Sequence, residues 1–316
     1  MTRAAAIDCG TNSIRLLVAD VPDRGAHTDV LRRMEVVRLG QGVDATGRLA
    51  PEAIERTRKV LAEYADAARE LGADRVRMVA TSASRDAANR TDFEDMVRTT
   101  LGQLPDVVTG QEEAELSFLG ATASLDRAAE AHGSPPPKPP FLVVDIGGGS
   151  TEFVLGDARG VRAARSVDIG CVRLTERHLH GDPPTAAEVD AAERDIRAAL
   201  AEVAADVPVG EAVTLVGLAG SVTTVAALAL ALPAYDAEAI HGSRIGRDAV
   251  REVTADLLAA TRERRAALPV MHPGRVDVIG AGSLILRVIM DVYDLAEVVV
   301  SEHDILDGIA LRLARP

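Results

Sequence analysis

Asp145 closes an apolar run, Phe141-Leu142-Val143-Val144, and is followed by Gly147, Gly148, Gly149, Ser150, Thr151 and a second acid, Glu152. Four apolar residues in succession predict a buried strand, and three consecutive glycines are costly to order unless something must approach the backbone closely. A hairpin turn needs only one or two. A run of them lets N–H groups converge on an anion with no Cβ in the way, and Ser150 and Thr151 add hydroxyl donors. Glycine amides for a phosphate beside paired carboxylates for a hard cation describe a magnesium and phosphate site. A glycine-rich turn with solvated acids is the other reading of this stretch taken alone.

The N-terminus repeats the pattern. Ala4-Ala5-Ala6-Ile7-Asp8 leads into Cys9-Gly10-Thr11-Asn12-Ser13, and a shift of 137 carries Asp8 onto Asp145, Gly10 onto Gly147 and Ser13 onto Ser150. The same shift carries Val76 onto Val213, Val79 onto Val216 and Ser84 onto Ser221. One offset across two separated segments implies two copies of one α/β unit. Each copy must supply a strand ending in an acid, a small-residue turn and a second strand. The pattern predicts further strands over residues 30–39, 76–80, 161–169, 213–218 and 298–300, and a strand with a small-residue turn over 276–283. It predicts helices over 51–71, 93–101, 186–205, 225–232 and 284–293. Thr109-Gly110-Gln111-Glu112 has the form of a capping box, which places Glu113 in the first turn of a helix. The proline run at 135–140 reads as a stiff connector. It sets the expected domains at 1–133 and 134–301, with a helix at about 302–316 packing back on the first.

Composition narrows the function. The 316 residues suit two domains, and a hydrophobic fraction of 47% can build both cores, while 2% aromatics argue against stacking platforms for bases. A net charge of −13 disfavours nonspecific attraction to nucleic acid or to an anionic membrane. Only Lys59 and Lys138 of the 35 basic residues are lysines, so an oxyanion ligand would meet guanidinium forks. Cys9 and Cys171 are too few for a disulfide framework. With no signal-peptide pattern and no spanning apolar run, a cytoplasmic protein is expected. No GxxxxGK[ST] pattern occurs, which excludes a P-loop.

Six segments taken together, Ala6-Ile7-Asp8-Cys9-Gly10-Thr11-Asn12-Ser13, Ala80-Thr81-Ser82-Ala83-Ser84-Arg85, Gly110-Gln111-Glu112-Glu113-Ala114, Val144 through Glu152, Ala219-Gly220-Ser221 and Ile279-Gly280-Ala281-Gly282-Ser283, resemble the exopolyphosphatase and guanosine pentaphosphate phosphohydrolase (Ppx/GppA) family. The resemblance runs in order along nearly the whole chain. It implies the actin, Hsp70 and sugar-kinase fold, two duplicated ribonuclease-H-like domains with a cleft between. It implies Mg2+-dependent hydrolysis of the terminal phosphate of linear inorganic polyphosphate, with guanosine pentaphosphate as the alternative substrate, and a homodimer. Carried over by position, Glu113 matches the water-activating glutamate. Asp145 and Glu152 match acids near the metal, with Asp8 as their counterpart. Arg85 matches an arginine that meets phosphate, its other reading being a structural pair with Asp86 or another acid. Gly10, Thr11, Asn12, Ser13, Gly147, Gly148, Gly149, Ser150, Thr151, Gly220 and Ser221 complete the expected substrate contacts. Ser301-Glu302-His303-Asp304-Ile305-Leu306-Asp307-Gly308 lacks the glycine and arginine of the family's C-terminal segment, and the helical domain of longer members is missing, which favours short chains. A small-molecule kinase and an actin-like scaffold are readings from other classes that the Gly-Gln-Glu-Glu-Ala segment disfavours.

Overall fold

The computed structural model describes residues 1–22 and 27–314. Two compact units divide the chain, one made of Met1–Ala123 with Asp304–Pro316 and the other of Ser124–His303.

In the first unit, strands β1 (Thr2–Cys9), β2 (Ser13–Val21), β3 (Thr28–Val36), β4 (Arg75–Ala80) and β5 (Asp106–Val107) form one sheet in the order β3-β2-β1-β4-β5. Its helices are α1 (Val43–Thr46), α2 (Pro51–Glu70), α3 (Ser82–Asp86), α4 (Arg90–Leu101), α5 (Gly110–Thr122) and the C-terminal α14 (Ile305–Ala314). Alternation along β1 sorts its side chains onto two faces. Ala5, Ile7 and Cys9 join a core with Leu61, Tyr64, Phe93 and Val97 of α2 and α4. Ala4 and Ala6 join Leu116 of α5 and Ile305, Ile309 and Ala310 of α14 on the other face. Asp8 continues that second face. Helices α5 and α14 cross closely, because a Cβ on Gly120 would run into the Asp304 carbonyl and one on Gly308 into the Leu116 carbonyl.

A charge cluster around the buried Asp307 fixes α14 to the sheet edge. His27 Nε2 lies 3.1 Å from Asp29 Oδ1 and 3.0 Å from Asp307 Oδ1, and Arg32 bonds Asp29 at 2.8 Å and Asp307 at 2.6 Å. Burial pulls the His27 imidazolium down, but its hydrogen bonds to Asp29 and Asp307 outweigh that and carry it up to about 9. A histidine in an unfolded chain titrates near 6.5, so the stabilisation is complete below that pH and is lost as pH rises through about 9. Wild type should therefore lose roughly 3 kcal/mol as pH rises through that window, and His27→Gln should show no such slope. Urea unfolding across the window measures it. Equal slopes in the two proteins would remove His27 from the account.

The second unit opens with α6 (Leu125–Ala131), and strands β6 (Phe141–Ile146), β7 (Thr151–Asp157), β8 (Gly160–Val167), β9 (Thr214–Leu218), β10 (Arg244–Gly246) and β11 (Glu297–Val300) form its sheet in the order β10-β11-β9-β6-β7-β8. Helices α7 (Cys171–His178), α8 (Ala186–Asp206), α9 (Ala219–Ala229), α10 (Ala237–Ile240), α11 (Arg247–Ala259), α12 (Arg262–Ala266) and α13 (Ile279–Val292) accompany it. Leu142, Val144 and Ile146 face a core with Ile196, Leu200, Val225, Leu257 and Ile285, which leaves Val143 and Asp145 on the opposite face. Helix α6 packs on the segment at Gly242, where a Cβ would meet Ala128. The division thus falls ahead of the proline run, not at residue 133.

The strand orders β3-β2-β1-β4-β5 and β8-β7-β6-β9-β11 are the same, which is the duplication the repeat implied, and the chain has the ribonuclease-H-like α/β fold that the family resemblance implied. The offset is not constant, however. Asp8 pairs with Val79 across β1 and β4, and Asp145 pairs with Leu218 across β6 and β9. Val79 therefore corresponds to Leu218, a shift of 139 and not 137, and Val213, expected to be the counterpart of Val76, is an exposed residue before β9. The predicted strand at 276–283 is absent, because Ile279 already begins α13 and the small residues form its first turn. Likewise α9 starts at Ala219, six residues before the predicted helix. No helix among the described residues is long and apolar enough to cross a membrane.

Candidate active site

The two hairpin loops share one backbone design. Gly10 N–H donates to the Ser13 carbonyl at 3.0 Å, and Gly147 N–H donates to the Ser150 carbonyl at 3.0 Å. In the first loop the Thr11 carbonyl accepts from Gly40 N–H at 2.8 Å, and the Asn12 carbonyl accepts from Val37 and Arg38 at 3.1 and 2.8 Å. In the second, the Gly147 carbonyl accepts from Cys171 N–H at 2.9 Å and the Gly148 carbonyl from Val172 and Arg173 at 2.9 and 3.1 Å. The Gly149 carbonyl takes Arg173 Nε at 2.8 Å. These bonds satisfy the first amides of α7 and turn the loop carbonyls toward that helix. Thr11, Asn12, Gly148 and Gly149 N–H groups donate to no backbone acceptor among the described residues, which leaves them available to an anion. Gly170 has to be glycine, because a Cβ there would strike the Gly148 carbonyl.

Asp145 and Glu152 stand opposite each other across β6 and β7 and are 8% and 1% exposed. Glu152 Oε1 accepts from the Ser150 and Ser166 hydroxyls, each at 2.7 Å. Thr151 donates its hydroxyl to the Ile169 carbonyl. The two hydroxyls expected to meet phosphate thus have their protons placed inside the protein. Two adjacent buried carboxylates call for positive charge, and an all-oxygen pair suits Mg2+, so these residues fit the ion that the resemblance implies.

Asp8 stands opposite Arg15 across β1 and β2. Arg15 Nε and Nη2 bond Asp8 Oδ2 at 3.0 and 2.7 Å, and Nη1 pairs with Asp304. Burial pushes the Asp8 carboxyl above the usual carboxylate range, Arg15 pulls the other way, and the Asp304 charge adds to the rise.

Which acid of the Glu112-Glu113 pair faces inward is settled by the cap of α5. Thr109 accepts from Glu112 N–H at 3.2 Å, and Glu112 Oε2 accepts from Thr109 N–H at 3.0 Å, so Glu112 is tied to the helix end and exposed. Glu113 is turned inward, 8% exposed, where its Oε2 accepts from Arg85 Nη1 at 3.1 Å. The same Arg85 nitrogen bonds the Val108 carbonyl, and its Nε lies 3.6 Å from Asp86. Sequence reading singled out Glu113 and Arg85 separately, and the structure brings them together.

Gly220 lies in the first turn of α9, after Ala219, whose φ of 67 is left-handed. A Cβ on Gly220 would collide with the guanidinium of Arg275, and one on Gly282 with Ser221, so the two small-residue segments and an arginine close on one another. The Cys171 thiol, at the start of α7, is pushed up by burial, with a hydrogen bond to Ser221 acting against the rise. Sequence reading missed Arg15, Arg173 and Arg275. Of these, Arg15 alone carried a signal, standing at the offset of 137 from Glu152.

The family model described as the Ppx/GppA phosphatase family matches residues 17–315. Exopolyphosphatase 2 of Mycobacterium tuberculosis is 54% identical, with 99% of each chain covered. The crystal structure of an exopolyphosphatase-like protein superposes with a TM-score of 0.93 at 41% identity, covering 98% of this chain and 97% of that one. An Aquifex aeolicus Ppx/GppA family member gives a TM-score of 0.80 at 32% identity, covering 98% and 97%. With its six motifs, duplicated fold and near-complete match, the chain belongs to the Ppx/GppA phosphatase family.

Proposed function

We propose that this chain is an exopolyphosphatase that hydrolyses the terminal phosphate from linear inorganic polyphosphate with Mg2+. The observation that carries the reading is the glycine loop after Asp145, with its carbonyls anchored by α7 and its amides left open beside the Asp145 and Glu152 carboxylates. Family membership supplies the reaction class, and the mycobacterial relative supplies the substrate.

Asp145 and Glu152 would hold Mg2+, which when bound neutralises charge on the terminal phosphoryl group. Amides of Gly148 and Gly149, with those of Thr11 and Asn12, orient phosphate oxygens. Glu113 positions the in-line water and takes its proton, while Arg85 keeps that carboxylate turned inward. Phosphoryl transfer relies mainly on positioning and charge stabilisation, so this inventory is sufficient. The working form is proposed to be a cytoplasmic homodimer.

Phosphate release from defined-length polyphosphates and from guanosine pentaphosphate, with and without Mg2+, tests the reading. Mg2+-dependent release from polyphosphate is expected. Release from guanosine pentaphosphate alone transfers the assignment to the other activity of the family, and release from neither overturns it.

A further inference from the structure

The two repeats differ in charge at one corresponding place. Across the first hairpin Asp8 faces Arg15, and across the second Asp145 faces Glu152, each partner offset by 137. Arg15 points Nε, Nη1 and Nη2 at carboxylates, two at Asp8 and one at Asp304. Asp8 and Asp304 are 4% and 5% exposed and come from β1 and from the segment entering α14. Asp8 Oδ1, inside this cluster, has no hydrogen-bond partner among the described residues. The first repeat therefore has two buried carboxylates with one oxygen unused, and a guanidinium fills the position between them.

We propose that Arg15 is the resident cation of a latent divalent-cation site formed by Asp8 and Asp304, so that the first repeat carries its own positive charge and binds no metal. The inference rests on the reading that Asp145 and Glu152 hold the enzyme's Mg2+. Arg15 is a positioning residue, because it fixes Asp8 through Oδ2 and leaves Oδ1 in place. The cross-strand partner explains the asymmetry. Asp8 faces a guanidinium, which offsets its charge, whereas Asp145 faces a second acid, Glu152, and a pair of facing acids favours a cation.

Mn2+ bound per folded chain, counted by electron paramagnetic resonance of the free ion, gives a readout independent of turnover. Arg15→Met should bind one more ion than wild type, Arg15→Lys the same number as wild type, and Arg15→Met with Asp304→Asn should lose the extra ion. An Arg15→Met protein that folds only with Mn2+ present supports the proposal equally. No gain in Arg15→Met, a gain that survives Asp304→Asn, or a variant unfolded with and without Mn2+ overturns it. Asp145→Asn tests the underlying reading separately, since it should remove the wild-type ion and leave the gain in Arg15→Met intact.

Discussion

Replacing Glu113 by glutamine should lower turnover by at least ~10²-fold while KM stays near its wild-type value, the pattern of a lost general base. Glutamine preserves the shape and an acceptor oxygen for Arg85 Nη1, so the inward turn of the side chain survives and only proton acceptance is lost. The neighbouring Glu112→Gln is the built-in control. Glu112 serves the cap of α5, where glutamine is an accepted substitute, so turnover in that variant should stay near wild type. Single-turnover phosphate release from polyphosphate measures both. Near-normal turnover in Glu113→Gln would exclude that residue from the chemistry, and equal losses in both variants would point to the helix end itself.

Gly120→Ala should destabilise the protein by about 3 kcal/mol, the upper end of what overpacking costs. The added methyl has no soft neighbour to displace, since it points at the Asp304 backbone carbonyl where α5 and α14 cross. Gly308→Ala meets the Leu116 carbonyl from the other side and should behave alike. Gly210→Ala, where a Cβ finds open space and φ is not left-handed, should change stability by less than about 0.5 kcal/mol. Chemical denaturation of the three variants decides. Because Glu113 sits two turns before Gly120 on α5, the crossing also sets the depth of the proposed base, and Gly120→Ala should lose turnover along with stability.

Local chemistry was legible in the sequence and long-range pairing was not. The strand before Gly147, the Thr109 cap and the duplicated hairpin all follow from residues within a few positions of one another, and each is present. Val276-Asp277-Val278 misled because its alternation has the period of a strand, whereas burial of Gly280 and Gly282 against neighbouring helices makes the next segment a helix turn. The offset of 137 held across the hairpins, where the turn fixes register, and slipped by two at β9, where connecting segments can change length freely. Pairs such as Arg15 with Asp304 and Arg32 with Asp307 are separated by 289 and 275 residues and carry no local pattern. Only the return of α14 to the first sheet creates them.

Loops whose carbonyls are already bonded to other elements have little freedom left to surrender. Ordering a residue costs on the order of 1–2 kcal/mol, and at Gly147, Gly148 and Gly149 that loss falls on folding, not on the encounter with a ligand. Such a socket does not mould itself around a guest. It should refuse an end group of the wrong shape instead of adapting to it, so selectivity would reside in geometry fixed before the substrate arrives.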